Sequence, residues 1–202
     1  MDFNDSPEEA KFRKEVNDWL SINATPKGKS KDSATLSEED ALKVAKSWQT
    51  KLYDNGWACL HWPKEYGGRG STPIERVIWG QEASNYKLPA GFFEIGQGMA
   101  GPVLMMYANE EQKKKYLPPM AKGEEIWCQL FSEPGAGSDL AGLKTKSVLD
   151  GDMWTINGQK IWTSGAHYSD YGILVTRSDP TAQKHKGLTY FFLDMKSPGV
   201  EV

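Results

Sequence analysis

Residues 132–139 of this 202-residue chain read Ser-Glu-Pro-Gly-Ala-Gly-Ser-Asp, close to the point where the character of the sequence changes. Pro134 fixes its own φ angle and lacks an amide donor, while Gly135 and Gly137 let the main chain bend and approach a ligand closely. The two serine hydroxyls and free backbone amides can bind an anionic or carbonyl-rich group. Taken alone, however, the composition favours a solvated turn between two domains.

The sequence before this stretch predicts helices. Residues 6–9 and 72–75 have a Ser or Thr followed by Pro and then by Glu three positions on, the pattern of a capping box with proline at the first helical position. Ser37, followed by acidic residues, predicts a further helix start, and the capping sequence Asn-Glu-Glu-Gln at 109–112 predicts another. Apolar residues at helical spacing follow these starts, which favours amphipathic helices packed around a core.

Three segments in this half carry more specific expectations. Residues 23–33 are polar with Pro and Gly, which predicts a loop. Residues 91–107 are apolar and rich in Gly and Met, so we expect a buried helix broken near Gly101-Pro102. We expect the helix that begins at Asn109 to end at Pro118-Pro119.

After residue 124 the sequence predicts strands. Short runs of β-branched, aromatic or alternating residues occupy 144–149, 153–156, 159–163, 171–176 and 188–195. Asp150-Gly151 and Asn157-Gly158 are typical hairpin turns. Helices followed by strands favour an α+β fold, with an all-α helical domain at 1–124 and an antiparallel β domain at 125–202. The last strand would leave an open edge, so we expect this β domain to be incomplete.

Composition excludes several classes of protein. With 39% hydrophobic and 25% charged residues the chain can bury a core, and a net charge of −3 gives no electrostatic case for nucleic acid or an anionic membrane. The two cysteines and three histidines have neither disulfide-framework nor metal-ligand spacing. No apolar run suits a membrane span and residues 1–9 do not resemble a signal segment, so we expect a cytoplasmic protein without a metal.

Two segments together resemble the flavin-contact segments of the acyl-CoA dehydrogenases. They are residues 129–139 and residues 157–164, which read Asn-Gly-Gln-Lys-Ile-Trp-Thr-Ser. Residues 62–68 and 109–119 are similar to parts of the family's N-terminal helical domain, in the family's order. The resemblance therefore implies an N-terminal helical domain and part of the middle β domain, without the family's C-terminal helical domain.

The resemblance implies that the cofactor is FAD and assigns its contacts to Gln129, Leu130, Phe131, Ser132, Gly137, Trp162, Thr163 and Ser164. The Ser132 hydroxyl would bind the polar edge of the isoalloxazine ring, Trp162 would cover a ring face, and Ser164 would lie near the reactive nitrogen. Ser138 would contact the thioester arm of acyl-CoA. Taken alone, Trp162 is more typical of a core tryptophan, and its place thirty residues after the first segment favours the flavin contact instead. For Ser138 the alternative is a helix or turn cap, which the acyl-CoA contact outweighs.

The implied reaction is α,β-dehydrogenation of an acyl-CoA thioester, in which a carboxylate removes the α proton and the β hydride moves to the flavin. The family's base is usually a glutamate of the C-terminal domain, so we assign no catalytic residue here. Glu133 and Asp139 are expected to be solvated turn carboxylates. An electron-transfer flavoprotein as acceptor and a homo- or hetero-oligomer follow by the same resemblance.

Three hypotheses about the chain's role stay open at this point. It is an N-terminal fragment or split subunit of an acyl-CoA dehydrogenase, active only with the missing helices. Alternatively, it is a non-catalytic subunit that binds FAD or acyl-CoA in a heteromeric enzyme. A third hypothesis, an unrelated interaction module built of helices and a sheet, is disfavoured by the specificity of the two motifs.

Overall fold

The computed structural model describes residues 4–29, 36–89 and 91–202 of the chain. The chain divides into two compact units, the first comprising Met1–Phe92 and Ala108–Glu124, the second Phe93–Tyr107 and Glu125–Val202. The first unit is helical and the second contains the main sheet, so the predicted order of a helical domain followed by a sheet domain is confirmed. The segment Phe93–Tyr107 clusters with the sheet unit, although the sequence suggested 1–124 as one helical domain.

The described residues contain α1 Pro7–Asn23, α2 Glu38–Asp54, α3 Pro73–Ala83, α4 Gly101–Tyr107 and α5 Glu110–Lys122. The predicted capping boxes before α1, α3 and α5 are all present, because in each the cap side chain and the third helical residue bond each other's backbone amides. Ser37 caps α2 by accepting a hydrogen bond from the Asp40 amide. One hydrophobic cluster in the core of the first unit contains the buried residues Phe12, Val16, Leu20, Trp57, Leu60, Ile78 and Tyr86.

The loop predicted at 23–33 contains regular structure. Strand β1, Thr25–Pro26, pairs antiparallel with β2, Tyr86–Lys87, and a short 3₁₀ turn follows at Lys27–Lys29. This short pairing depends on a partner about sixty positions away in the sequence, which a local turn signal does not reveal. Residues 30–33 of the predicted loop lie outside the described part of the chain.

The prediction that Pro118-Pro119 ends α5 is wrong. Both prolines lie inside the helix, which ends at Lys122 and is capped by Gly123 in the left-handed conformation, φ 78°. Side chains of α2 support this last turn: the Gln49 amide donates to the Ala121 carbonyl at 2.7 Å. Tertiary bonds and burial of the adjacent helix face therefore compensate for the amide donors that the prolines lack.

The predicted break at Gly101-Pro102 is also wrong. A π-helical turn, Gly96–Ala100, continues directly into α4, and Gly101 has helical angles, φ −57° and ψ −51°. The wider π turn gives the ring of Pro102 room beside the preceding carbonyls, which an ordinary helix does not offer. Ala100 and Leu104 are buried as expected, but Met106 and Tyr107 are 71% and 78% exposed.

Five strands form the sheet of the second unit: β3 Trp127–Leu130, β4 Lys146–Asp150, β5 Met153–Asn157, β6 Tyr171–Arg177 and β7 Leu188–Asp194. The β4–β5 and β6–β7 pairs are antiparallel, as predicted, and the first turns at Asp150-Gly151. Strand β6 pairs in parallel with both β3 and β4, so the sheet is mixed rather than wholly antiparallel. Parallel pairs join segments distant in sequence, which local strand signals cannot specify.

The predicted strand at 159–163 does not form. After β5 the chain runs without a sheet partner, and Asn157-Gly158 does not close a hairpin. Gly158 packs so closely on Thr145 that a Cβ atom would overlap it, so close approach explains this glycine. Trp162 has a φ angle of +60°, which is incompatible with a regular strand.

Both cysteines are buried and free. Cys59 lies in the first unit and Cys128 in β3 of the second. Burial raises the pKa of the Cys59 thiol to about 12, and burial also raises the pKa of Cys128. Both thiols are therefore core groups of low reactivity.

Candidate functional site

The first candidate segment leaves the sheet at the end of β3. Leu130 is only 7% exposed and packs in the core cluster with Cys128, Ala166, Leu174 and Met195. Its side chain is therefore part of the core, and only its main chain can contribute to a binding surface. Gln129, Phe131 and Ser132 are half-buried, so all three keep part of their surface accessible.

A tight turn follows. The Glu133 amide donates to the Ala136 carbonyl at 2.8 Å, and the Ala136 amide donates back at 3.0 Å. Gly137 and Ser138 are exposed, and a Cβ atom added at Gly135 or Gly137 would meet open space. The two glycines thus leave open space at their positions on the turn, which suits a segment that a ligand approaches closely.

The second candidate segment presents an exposed indole. Trp162 is 84% exposed, so the alternative of a core tryptophan is wrong. Its left-handed backbone costs about 1 kcal/mol for a residue with a side chain, and such strain clusters at functional sites. Thr163 is half-buried, and its carbonyl accepts from the Ala166 amide at 3.0 Å, while Ser164 is exposed. The structure therefore presents a large ring and a hydroxyl to solvent within three residues.

The two segments lie side by side. The Ile161 amide donates to the Ser132 carbonyl at 2.9 Å, and the Lys160 ammonium donates to the Phe131 carbonyl at 3.0 Å. The structure thus brings Phe131 and Ser132 against the chain that carries Trp162, across about thirty positions of sequence. Gly137 and Ser138 lie further along the turn and, within the described chain, form no hydrogen bond with 160–164.

Glu133 is the site residue that sequence reasoning misplaced. The prediction that Glu133 is a solvated turn carboxylate is wrong, because the residue is only 8% exposed. Its carboxylate accepts hydrogen bonds from the Lys144 amide at 2.6 Å, the Thr145 amide at 2.8 Å and the Lys160 ammonium at 2.9 Å. Burial alone would raise the pKa of Glu133, but the hydrogen bonds from the Lys160 ammonium and from the amides of Lys144 and Thr145 lower it to about 2. The Asp139 side chain is 67% exposed, as expected.

An open cavity of about 510 Å³ adjoins this arrangement. It is lined by the turn at 133–135, the start of β4 with the residues before it at 144–146, and the end of β5 at 157–159. No local signal in the sequence indicates this cavity, since its walls come from three segments.

The groups on this surface fit a flavin. A flavin needs a flat apolar wall and hydrogen-bonding groups along its polar edge. The exposed indole of Trp162 is a flat apolar surface of this kind, and the hydroxyls of Ser132 and Ser164 lie on the two adjoining segments. Among the described residues, no group of three or more His, Cys, Asp or Glu side chains could hold a metal ion.

Comparisons with known proteins agree along nearly the whole chain. The family model for the acyl-CoA dehydrogenase N-terminal domain matches residues 6–124, and that for the middle domain matches residues 128–202. The acyl-CoA dehydrogenase IpdE1 of Mycobacterium tuberculosis is 38% identical over 196 residues, which cover 95% of this chain and 50% of the relative.

Two solved structures are similar in both sequence and fold. A chain of the ChsE4-ChsE5 complex from Mycobacterium tuberculosis matches with a TM-score of 0.78 and 33% identity. The match covers 98% of this chain and 50% of the chain in the complex. The Tcur3481-Tcur3483 steroid ACAD matches with a TM-score of 0.77 and 34% identity, again covering 98% and 50%. This chain spans about half the length of the curated relative. It belongs to the acyl-CoA dehydrogenase family, whose members are FAD-dependent flavoproteins.

Proposed function

We propose that this chain forms the part of an FAD-dependent acyl-CoA dehydrogenase that faces the flavin and the acyl-CoA. The observation that carries the proposal is the exposed, left-handed Trp162 beside Ser132. The strained backbone at Trp162 lowers the stability of the fold, and the exposed ring gains no core packing that would offset this loss. A flat ligand that covers the ring would offset that cost.

Each residue of the surface has a definite task in this proposal. The indole of Trp162 excludes water from one face of the isoalloxazine, the hydroxyl of Ser132 bonds its polar edge, and the hydroxyl of Ser164 lies near its reactive nitrogen. The remaining proposed flavin contacts are Gln129, Leu130 through its main chain, Phe131, Gly137 and Thr163. The hydroxyl of Ser138, exposed on the turn, binds the thioester arm of the acyl-CoA.

Bound FAD would supply the acceptor for the hydride that leaves the β carbon. The α proton needs a carboxylate base within hydrogen-bonding reach. Glu133 does not suit that task, because its ion pair with Lys160 and a pKa of about 2 make it a weak base near neutral pH. We propose that the base comes from the part of the enzyme that this chain does not span.

The proposal extends to partners. The substrate is an acyl-CoA, and the electron acceptor is an electron-transfer flavoprotein. The working enzyme is a homo- or hetero-oligomer in the cytoplasm. It takes part in fatty acid β-oxidation or a related acyl-CoA oxidation. Support for assembly comes from the solved ChsE4-ChsE5 complex, which this chain resembles. Within the described residues, no helix combines the length and apolar character required to cross a bilayer.

The test is to purify the tagged chain with its natural associates from its source cells and to record the visible spectrum. We expect a yellow assembly whose flavin band bleaches when an acyl-CoA is added under anaerobic conditions. The substrate series should include short, medium and long fatty acyl-CoAs and steroid side-chain CoA esters, since one similar structure is a steroid ACAD.

Two outcomes would contradict the proposal. A yellow assembly that binds acyl-CoAs without bleaching would instead support a non-catalytic binding subunit. An assembly that contains this chain but no flavin, and takes up none when FAD is added, would remove the basis for both hypotheses.

A further inference from the structure

The side chain of Lys160 crosses from the second candidate segment to the first. It is 8% exposed and its ammonium bonds the Phe131 carbonyl at 3.0 Å and Glu133 Oε1 at 2.9 Å. The carboxylate of Glu133, itself 7% exposed, also accepts the amides of Lys144 and Thr145. One buried ion pair therefore joins three stretches of chain: the turn after β3, the approach to β4 and the segment after β5.

The ion pair between Lys160 and Glu133 lies immediately before Trp162, the residue whose backbone is strained. Lys160 is two positions from Trp162, and the intervening Ile161 bonds its amide to the Ser132 carbonyl at 2.9 Å. Because the indole is 84% exposed, the packing of its own side chain contributes little to holding it in place. The left-handed backbone at Trp162 persists only if the neighbouring residues are fixed, and Lys160 and Ile161 are the fixed residues on its amino-terminal side.

We infer that Lys160 and Glu133 are positioning residues, which hold the exposed indole of Trp162 and the main chain of Phe131 and Ser132 in one orientation before any ligand is bound. A buried ion pair is a poor device for stability alone, since apolar residues of similar volume often replace one without loss. Here the ion pair fixes geometry instead. Its directional bonds set the register between the two candidate segments, which share no strand pairing. The part of the inference that concerns FAD rests on the proposed function, whereas the part that concerns Trp162 does not.

The first arm of the test needs no cofactor. The full chain is labelled with fluorotryptophan, and the fluorine NMR signal of Trp162 is assigned from its absence in Trp162→Phe. In Lys160→Met we expect the Trp162 signal to shift and broaden, while the signals of the other tryptophans keep their wild-type positions. The control is Lys196→Met, which removes an exposed ammonium bonded to Asp170 in the same unit and should leave every signal in place.

The second arm measures binding of FAD to the same variants by titration. A loss of preorganisation should raise the dissociation constant about tenfold in Lys160→Met and leave it unchanged in Lys196→Met. If the wild-type chain does not bind FAD, the proposed function fails but the NMR arm still decides the positioning role. An unchanged Trp162 signal in a folded Lys160→Met variant would overturn the inference.

A further variant covers the case in which Lys160→Met does not fold because Glu133 is left as an unpaired buried charge. Lys160→Met combined with Glu133→Gln removes both charges together, so we expect it to fold. It should still show the displaced and broadened Trp162 signal, because the bonds that fix the segment are lost. A wild-type Trp162 signal in this double variant would equally overturn the inference.

Discussion

The tryptophans of the helical unit and Trp162 of the sheet unit are held in opposite ways. Trp57 is 4% exposed and stacks on Trp79 with ring centroids 5.0 Å apart, and the Arg69 guanidinium lies 4.2 Å from its ring centroid. Trp162 is 84% exposed, and the residues just before it are bonded instead, Lys160 through its ammonium to the Phe131 carbonyl and Ile161 through its amide to the Ser132 carbonyl. The comparison teaches that one residue type can be held by ring packing in one unit and left exposed on a fixed backbone in the other, where the ring stays available for the contact proposed above.

Removing a packed ring should have the largest effect on stability. Trp57→Ala leaves a cavity in the first unit's core, and we expect the free energy of unfolding to fall by about 4 kcal/mol. Denaturant unfolding followed by circular dichroism measures the change. The matched control is Ile22→Ala, which trims an exposed apolar side chain of the same unit and should change stability by less than about 0.5 kcal/mol. A small effect for Trp57→Ala would show that the aromatic cluster is not what holds this unit.

The bonds around Glu133 should make stability depend on pH. The folded pKa of about 2 lies below the ordinary value of 4.5, so the stabilisation is fully present above about pH 4.5 and is lost as the pH falls towards 2. At neutral pH it amounts to about 3 kcal/mol, at 1.36 kcal/mol per pKa unit. We expect Glu133→Gln to lose most of this at neutral pH and to approach the wild type in acid, as measured by unfolding at several pH values.

The control for this pH dependence is Asp139→Asn, since that carboxylate is 67% exposed and lies six positions on. We expect a change of less than about 0.5 kcal/mol at every pH. If wild type and Glu133→Gln differed by the same amount at neutral and at acid pH, the carboxylate would not be responsible.

Arg69 should contribute less to the free energy of unfolding than either Trp57 or Glu133. Its guanidinium stacks on Trp57 and forms a partly exposed ion pair with Glu15. We expect Arg69→Met to cost about 1 kcal/mol, because exposed cation–π contacts and surface pairs are individually weak. Thermal unfolding at low and high salt separates the ion pair from the ring contact. The stability lost with the ion pair becomes smaller at high salt, whereas a stability loss that does not change with salt comes from the ring contact.

Trp162→Ala should have the smallest effect on stability and the clearest effect on recognition. The free energy of unfolding should change by less than about 0.5 kcal/mol, because the ring is exposed. Under the proposed function, FAD should bind at least about tenfold more weakly, because its stacking wall is lost. Tyr107→Ala, which removes another exposed ring of the sheet unit, is the matched control. Equal FAD affinity in the two variants would contradict a flavin contact at Trp162.

Local signals in the sequence predicted local structure well. The capping boxes at Ser6, Thr72 and Asn109 formed as expected, because each needs only four consecutive residues. The same holds for the β4–β5 hairpin at Asp150-Gly151. The hairpin signal placed β5, at whose end the second candidate segment begins, but β3, at whose end the first begins, was not predicted.

Features with distant partners escaped prediction. The burial of Glu133 depends on Lys160, which lies 27 positions away, and the survival of α5 through its prolines depends on Gln49 of α2. The missing strand at 159–163 follows from the left-handed angle at Trp162, which no residue pattern announced. In each case a tertiary contact overrode a correct local tendency.

The burial of both cysteines has a practical consequence for spectroscopy on this protein. With the pKa of Cys59 raised to about 12 and Cys128 fully enclosed, maleimide reagents should spare the native thiols at neutral pH. A Gly135→Cys substitution would place a thiol in open space on the wall of the 510 Å³ cavity. A single dye or spin label could thus be attached beside the cavity without first removing any cysteine.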